Sequence, residues 1–212
     1  MTATPWLPLL RRHRTIAVIR APQVELGLRL AEAAAAGGIR LIEITWNSAS
    51  PERLVTTLRD ALPHCHIGVG TLLTVAEVGA AIAAGAEFCV SPHTDMAMIQ
   101  LARSHDIPLV PGALTPNEII AAWTAGASAV KVFPIGAVGG ASYVKSLQGP
   151  LAHIPLIPTG GVTLANAAAM IEAGAVAVGL STGLFSPAAS ARGDWPSITE
   201  AAARLVEAVQ VV

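Results

Sequence analysis

Four Ala-Gly phrases recur along the chain at a spacing that limits the folds it can adopt. They are Ala36-Gly37-Gly38, Ala84-Gly85-Ala86, Ala125-Gly126-Ala127 and Ala173-Gly174-Ala175. Each phrase follows an alanine-rich stretch and precedes a strand-like run, as expected where a left-handed glycine ends a helix. The first glycines of the phrases follow one another at intervals of 48, 41 and 48 residues. Since each interval corresponds to about two βα units, the repetition predicts eight such units in a row.

Short apolar runs alternate with helical stretches and give the positions of the eight predicted strands. These are Thr15–Ile19, Leu41–Thr45, Ile67–Gly70, Phe88–Ser91, Leu109–Pro111, Ala129–Phe133, Leu156–Thr159 and Ala177–Gly179. The alternation is typical of parallel βαβ units. We therefore predict an α/β fold, a (β/α)8 TIM barrel, with residues 1–212 forming a single domain that ends in an amphipathic helix over Ser197–Val212. An open doubly wound sheet is the alternative, but such sheets more usually have about five or six strands.

Composition excludes several classes of partner. Hydrophobic residues make up 53% of the chain and charged residues 13%, which suits a parallel sheet covered on both faces. The net charge of −1 comes without a basic block, so we expect no nucleic-acid partner and no anionic membrane surface. No apolar stretch is long enough to cross a bilayer. Over Met1–Arg14 the apolar residues precede the basic cluster, the reverse of an export signal, so we expect a cytoplasmic protein.

The two cysteines, Cys65 and Cys89, fit buried free thiols in a reducing compartment better than a disulfide. Cys65 lies between His64 and His66, a triplet that resembles metal ligands. A second ligand cluster is missing, and adjacent residues of a strand point to opposite faces. We therefore expect no metal ion and no cofactor.

Lys131 occupies a strand position where the pattern favours a buried apolar side chain. It lies within Ala129–Pro134, and the only other lysine is Lys145. Burial disfavours the charged form of an amine, and a neutral amine shielded from water is what Schiff-base chemistry requires. The structural alternatives are a lysine whose amine reaches solvent and a lysine in a buried ion pair.

Polar residues collect at the carboxyl ends of the predicted strands, where barrels place their active sites. Residues two apart share a face of a strand, so Glu43 points with Leu41 and Thr45, and Lys131 points with Phe133. If both sets face the barrel axis, an acid and an amine meet in one cavity shielded from water. Glu43 could instead be only an ion-pair partner of Lys131.

The other strand ends also allow structural interpretations. Arg20 could be a rim charge, and Thr71 and Ser91 could cap the following helices. Gly160-Gly161 could form a tight turn. These glycines nevertheless follow the seventh strand, and Gly179 and Ser181 follow the eighth, where barrels commonly bind phosphate through backbone N–H groups. We therefore expect a phosphorylated substrate.

Six blocks together resemble the 2-keto-3-deoxy-6-phosphogluconate (KDPG) aldolase family, class I aldolases built on a (β/α)8 barrel. The blocks are Ile16-Ala17-Val18-Ile19-Arg20, Leu41-Ile42-Glu43-Ile44-Thr45, Gly68-Val69-Gly70-Thr71, Ser91-Pro92-His93, Val130-Lys131-Val132-Phe133-Pro134 and Pro158-Thr159-Gly160-Gly161-Val162. They keep their order from about residue 10 to about residue 190, nearly the whole chain.

The resemblance implies a role for each candidate residue and a homotrimeric assembly. Lys131 would form the Schiff base, and Glu43 would act as general acid and base. Arg20 would contribute to substrate binding. The pyruvate unit would contact Thr71, Pro92 and Phe133, and the phosphate would contact Thr159, Gly160, Gly161, Gly179 and Ser181.

One position departs from the gluconate-type pattern. Members of that type often carry an arginine where this chain has Asn47. The Asn47-Ser48 pair, with Arg20 ending the first strand, is closer to the 6-phosphogalactonate branch. Since some gluconate-type enzymes also lack the arginine, both substrates stay open.

The leading hypothesis is an aldolase that cleaves a 2-keto-3-deoxy-6-phospho sugar acid into pyruvate and glyceraldehyde 3-phosphate. A second is a barrel isomerase, epimerase or thiamine-phosphate-type synthase, which would use carboxylate bases or metal ions. A third is a non-catalytic phosphosugar-binding module. The presence of both Glu43 and Lys131 argues against a binding module, because binding alone requires neither.

Overall fold

Parallel strands form the centre of the computed structural model, which describes residues 6–211. Nine strands lie in this part of the chain: β1 Thr15–Ile19, β2 Leu41–Thr45, β3 His66–Gly70, β4 Cys89–Val90, β5 Leu109–Val110, β6 Gly112–Ala113, β7 Val130–Val132, β8 Leu156–Pro158 and β9 Val178–Leu180. They pair in the orders β5-β4-β3-β2-β1-β9 and β6-β7-β8. Every pair of neighbouring strands is parallel.

Two connections close these strands into a barrel of eight. β5 and β6 are the two parts of its fifth strand, interrupted at Pro111, whose carbonyl accepts a 2.9 Å hydrogen bond from the Lys131 N–H. A parallel bridge between Thr159 and Gly179 joins β8 to β9. The predicted TIM barrel is therefore confirmed. β1 and β2 have the predicted bounds, and the other strands differ from prediction by one or two residues at an end.

Helices surround this barrel. They are α1 Trp6–His13, α2 Val24–Ala36, α3 Pro51–Ala61, α4 Val75–Ala83, α5 Met96–Ser104, α6 Pro116–Thr124, a 3-10 helix at Ile135–Val138, α7 Ala141–Leu151, α8 Ala167–Glu172, α9 Pro187–Arg192 and α10 Trp195–Gln210. α4 and α6 begin with capping boxes, in which a threonine side chain and a glutamate three residues later satisfy each other's backbone N–H groups. α10 corresponds to the predicted terminal helix, and Val212 lies outside the described residues.

The repeated glycines end helices as predicted, with one correction. Gly85, Gly126 and Gly174 are left-handed, with φ of 92°, 98° and 106°. In the first phrase the left-handed residue is Gly38 (φ 98°), and Gly37 has φ −79°. Position 37 requires a glycine for a different reason: a Cβ there would lie 2.5 Å from the Ala202 Cβ of α10.

Apolar side chains fill the barrel and also separate it from the helices. The inner cluster is closed at the amino-terminal end of the strands by α1, whose Trp6 and Leu10 pack against it. The Trp6 ring lies 4.9 Å from that of Phe88 on a tilted plane. The larger outer cluster lies between the strands and α2 to α10. The open end of the barrel is therefore the carboxyl end of the strands.

Within residues 6–211, no helix combines the length and the apolar character that crossing a bilayer would demand.

Candidate active site

Glu43 and Lys131 both point into the barrel, as the alternation along β2 and β7 predicts. Glu43 pairs in register with Val18 and Gly68, and Lys131 pairs with Gly112 and Ile157. Their exposed fractions are only 2% and 6%. An acid and an amine are thus both buried within the barrel wall.

The Glu43 carboxyl occupies space that a glycine provides. A Cβ on Gly70 of the neighbouring strand would overlap the Glu43 carboxyl group. Two residues earlier on the same strand, a Cβ on Gly68 would lie 2.5 Å from the Phe88 ring. The glycines of β3 therefore let the larger side chains of Glu43 on β2 and of Phe88, directly before β4, fill the interior.

Burial and nearby charge act on Glu43 in opposite directions. Oε1 of Glu43 has no hydrogen-bond partner among residues 6–211. Burial raises the pKa of Glu43 above its ordinary value, while the positive charges of Lys131 and Arg20 partly offset this rise. A carboxyl group whose pKa is raised in this way is suited to both giving and taking protons during a reaction.

The Lys131 amine is also without a fixed partner. Its Nζ lies 5.1 Å from the centre of the Phe133 ring, in the range of a cation–π contact. Within the described chain the Lys131 amine forms no hydrogen bond and no ion pair, with Glu43 or any other residue. The buried ion-pair alternative is therefore wrong, and the amine is free to react.

One cavity of about 360 Å³ brings all the predicted site residues together. The predicted members are Arg20, Glu43, Thr71, Pro92, Lys131, Phe133, Thr159, Gly160, Gly161, Gly179 and Ser181. Four further lining residues were not predicted: Val18, Val162, Thr182 and Gly183. Val18 is the inward residue two before Arg20, and the others lie one or two residues after a predicted residue, so periodicity and adjacency were the available signals.

Thr71 lines the cavity in a strained backbone conformation. Its φ is 60°, in the left-handed region that β-branched residues seldom adopt. Thr71 does not cap the next helix, because Thr74 caps α4. Ser91 does not cap one either: its hydroxyl bonds His93, and Asp95 caps α5. The capping alternatives for Thr71 and Ser91 are therefore wrong.

Arg20 lies at the mouth of the cavity and is held from one side. Its Nε donates a 3.2 Å hydrogen bond to Oδ1 of Asn47 in the loop after β2. The next residue, Ser48, accepts a hydrogen bond from the Ala21 N–H at 3.1 Å. Asn47 and Ser48 thus connect the ends of β1 and β2, and the two terminal nitrogens of Arg20 form no hydrogen bond within residues 6–211.

Glycine backbone forms the side of the cavity at the carboxyl ends of β8 and β9. Gly160 and Gly161 have φ of 79° and 94°, so both adopt conformations that favour glycine. A Cβ on Gly179 would lie 2.6 Å from Oγ1 of Thr159. α8 begins only at Ala167, so the N–H groups at this edge belong to the loop after β8 rather than to a helix end.

The His64-Cys65-His66 triplet forms a different set of contacts. Nδ1 of His66 lies 3.1 Å from Oε1 of Glu87. Both cysteines are free and buried, as predicted, and burial raises the pKa of the Cys89 thiol to about 12. No group of three potential metal ligands occurs among residues 6–211.

Comparisons of this chain with known proteins agree on one protein family. The family described as "Aldolase: KDPG and KHG aldolase" matches residues 8–201. The 2-dehydro-3-deoxy-phosphogluconate aldolase of Pseudomonas aeruginosa is 34% identical over 190 residues, which cover 90% of this chain and 86% of that protein.

Two solved structures are similar over nearly their whole length. The "Native KDPGal structure" has 31% identity and a TM-score of 0.85, covering 93% of this chain and 94% of that one. The KDPG aldolase of Legionella pneumophila, with pyruvate captured as a covalent carbinolamine intermediate, has 28% identity and a TM-score of 0.87. That match covers 96% of this chain and 98% of that one.

Proposed function

Since this chain belongs to the KDPG and KHG aldolase family and is an aldolase of the Schiff-base class, we propose that Lys131 and Glu43 carry its reaction. The enzyme cleaves a 2-keto-3-deoxy-6-phospho sugar acid into pyruvate and glyceraldehyde 3-phosphate. One observation carries the proposal: a buried amine and a buried carboxyl face the same cavity without a fixed partner. The chemistry requires no metal ion or cofactor, because these two groups supply the electrophile activation and the proton transfers.

Lys131 begins the reaction. Its amine nitrogen attacks the C2 carbonyl of the substrate to form a carbinolamine, which loses water to give an iminium ion. Removal of the proton from the C4 hydroxyl then allows the C3–C4 bond to break, with its electron pair moving into an enamine. Glyceraldehyde 3-phosphate leaves, C3 of the enamine takes a proton, and water releases pyruvate from the amine.

Glu43 serves these proton transfers. The reaction needs a proton at the departing carbinolamine oxygen, a base at the C4 hydroxyl and an acid at C3. One carboxyl group can perform these steps in turn if its two protonation states are both accessible. The pKa of Glu43, raised by burial and moderated by Lys131 and Arg20, supports this role.

Thr71, Pro92 and Phe133 surround the pyruvate unit in this proposal. All three line the cavity with Lys131, and the Phe133 ring lies beside its amine. The left-handed backbone of Thr71 fixes its hydroxyl at the cavity wall. The ring excludes water from one side of the imine, and the hydroxyl supplies a hydrogen bond to the pyruvate carboxylate.

The phosphate binds among backbone N–H groups and one hydroxyl. The candidates are Thr159, Gly160, Gly161, Gly179 and Ser181, together with Val162, Thr182 and Gly183, all of which line the cavity. Successive left-handed glycines produce a concave set of N–H donors that suits an anion. Arg20, at the end of the adjacent β1, adds positive charge at the same mouth.

We propose that the substrate is either the phosphogluconate or the phosphogalactonate form, since Asn47 stands in place of an arginine and binds Arg20. Comparing kcat/KM for the two epimers would assign the preferred C4 configuration.

We further propose a single-domain, cytoplasmic enzyme that assembles as a homotrimer. Exposed apolar side chains of α4 to α6 and the preceding loop support an assembly surface. They are Leu73, Val75, Met96 and Ile120, which are 40–52% exposed. Sedimentation of the parent protein, compared with a variant carrying Met96→Glu and Ile120→Glu, would test whether this surface joins subunits.

Borohydride trapping tests the central proposal. Incubation with pyruvate and borohydride should add the mass of one reduced pyruvate adduct to the chain, and peptide mapping should locate it at Lys131. An unmodified chain, or an adduct at Lys145, would contradict the proposal.

A further inference from the structure

The loop that follows β8 has two successive carbonyl groups held from outside the cavity. The Gly160 carbonyl accepts a 2.9 Å hydrogen bond from the Gly136 N–H, in the 3-10 helix that follows the Lys131 strand. The Gly161 carbonyl accepts a 3.0 Å hydrogen bond from Nδ2 of Asn166. The first of these bonds comes from backbone and the second from a side chain that does not line the cavity.

These bonds also determine where two N–H groups point. In a planar trans peptide the C=O and the following N–H point in opposite directions. Holding the carbonyls of Gly160 and Gly161 therefore turns the N–H groups of Gly161 and Val162 the other way. In the described part of the chain neither N–H has an acceptor, and both residues line the cavity.

Asn166 is fixed at its other end as well. Its Oδ1 accepts a 2.8 Å hydrogen bond from the Thr163 N–H, and its own N–H donates to the Thr163 carbonyl at 3.2 Å. The side-chain amide therefore closes the segment from Gly161 to Thr163 into a compact loop. Without it, the peptide between Gly161 and Val162 would be free to rotate, because Gly161 has little steric restriction.

We propose that Asn166 is a positioning residue for phosphate recognition: by holding the Gly161 carbonyl, it keeps the Val162 N–H directed at the substrate phosphate. This inference rests on the phosphate site of the proposed function. It assigns a binding role to a side chain that never touches the substrate.

The test compares phosphorylated and unphosphorylated substrates. Asn166→Ala should raise KM for 2-keto-3-deoxy-6-phosphogluconate roughly tenfold, the effect of losing one well-directed hydrogen bond to a charged group. KM for unphosphorylated 2-keto-3-deoxygluconate should stay within about twofold. Inhibition by inorganic phosphate should weaken in parallel with the first value.

Gln148→Ala is the matched control. Nε2 of Gln148 donates a 3.2 Å hydrogen bond to the Gly174 carbonyl, the same kind of amide-to-glycine bond at the opposite end of the barrel. This variant should leave both KM values unchanged.

Asn166→Asp provides a second variant if the alanine protein folds poorly. The aspartate can still accept from the Thr163 N–H but cannot donate to the Gly161 carbonyl. Its KM for the phosphorylated substrate, relative to the parent at the same ionic strength, should stay raised in high salt, because salt screens charge repulsion but does not restore a lost donor.

The outcomes are distinguishable. Equal KM changes for both substrates, or none, would overturn the positioning role. If the parent enzyme itself showed no preference for the phosphorylated substrate and no inhibition by phosphate, the phosphate site would fail and this inference with it.

Discussion

The absence of a side chain on Gly70 of β3 makes room for the carboxyl group of Glu43 on the neighbouring β2, whose register partner is Gly68. The general acid and base of the proposed reaction therefore depends on a glycine that carries no chemistry of its own. Adding one methyl group at position 70 tests this dependence directly.

Gly70→Ala should displace the Glu43 carboxyl and lower kcat by about 10²-fold or more, because the acid and base would leave its working position. Borohydride trapping of pyruvate at Lys131 should be slowed as well, since loss of water from the carbinolamine uses the same carboxyl.

Gly149→Ala is the control. Nothing lies within 4 Å of a Cβ at Gly149, inside α7, so this variant should keep full activity and gain about 0.5–1 kcal/mol of stability. Full activity of Gly70→Ala would contradict the prediction, because it would show that the Glu43 carboxyl still works beside the added methyl group.

Lys131→Ala should abolish cleavage with the fold intact. The lost amine leaves a small cavity but also removes a desolvated group, so the free energy of unfolding should change by no more than roughly 1–3 kcal/mol. Lys131→Arg should be equally inactive, because a guanidinium is not a nucleophile at neutral pH. Lys145→Ala, at an exposed position of α7, should retain turnover. Measurable cleavage by either Lys131 variant would exclude the Schiff-base mechanism at this residue.

Glu43→Gln should bind substrate but turn it over about 10²–10⁴-fold more slowly. Exchange of the pyruvate methyl protons with solvent, followed by NMR, should slow by a similar factor. If exchange continued at the parent rate, the proton would pass through another group.

Glu43→Gln should also change how the free energy of unfolding depends on pH. The pKa of Glu43 is raised in the folded protein, so the folded state binds more protons than the unfolded state between the two pKa values. The parent therefore loses stability as pH rises from the ordinary pKa of a glutamate to the raised value. Denaturant unfolding across this range should show that loss in the parent and a flatter profile in Glu43→Gln. Parallel profiles would contradict the raised pKa.

Gly161→Asp should raise KM for the phosphorylated substrate far more than for the unphosphorylated analogue. It places a negative charge at the phosphate loop, and a Cβ there would lie 2.9 Å from the Cα of Gly136. Gly161→Ala adds the same Cβ without the charge, so the difference between the two variants isolates the electrostatic part. Similar losses for both substrates would mean that Gly161 only shapes the turn.

Glu87→Gln should reduce stability at neutral pH and flatten its acid dependence. His66 and the Ile67 N–H hydrogen-bond the Glu87 carboxylate and hold its pKa below the ordinary value despite partial burial. The stability that these hydrogen bonds contribute is present at pH values above the pKa of Glu87 in the unfolded chain. It is lost as pH falls through the lower pKa that Glu87 has in the folded protein. Thermal unfolding of parent and variant should converge at low pH. Glu25→Gln, in an exposed pair with Arg29, should show little effect by comparison.

The barrel could be predicted from the sequence because its signals are local and repeated. Short apolar runs recur in every unit and Ala-Gly phrases that end helices recur in about every second unit, and the runs predicted the bounds of β1 and β2 to the residue. The interruption of the fifth strand at Pro111 was not predicted, although proline cannot donate to a strand ladder. The exchange of roles between Gly37 and Gly38 was also missed, because it depends on contact with α10, which lies more than 150 residues away in sequence.

The candidate site was predictable to the extent that it follows strand ends. Glu43 and Lys131 are polar residues in apolar strands, and that contrast is visible without a structure. Asn166 and Gly70 act through their contacts with other residues, so only three-dimensional geometry assigns them a part. That Glu43 and Lys131 form no direct ion pair could not be foreseen either, because the sequence gives their faces but not their separation.

The plug of α1 at the amino-terminal end of the barrel has a kinetic consequence. Trp6 and Leu10 fill that end, so substrate enters and products leave by the mouth near Arg20 and Ser181. In the proposed reaction the pyruvate unit is still covalently attached to Lys131 when the C3–C4 bond breaks. Glyceraldehyde 3-phosphate therefore departs first, and in the synthetic direction pyruvate binds before the aldehyde. The barrel is a pocket with a single opening, and the covalent bond at Lys131 sets the order of events within it.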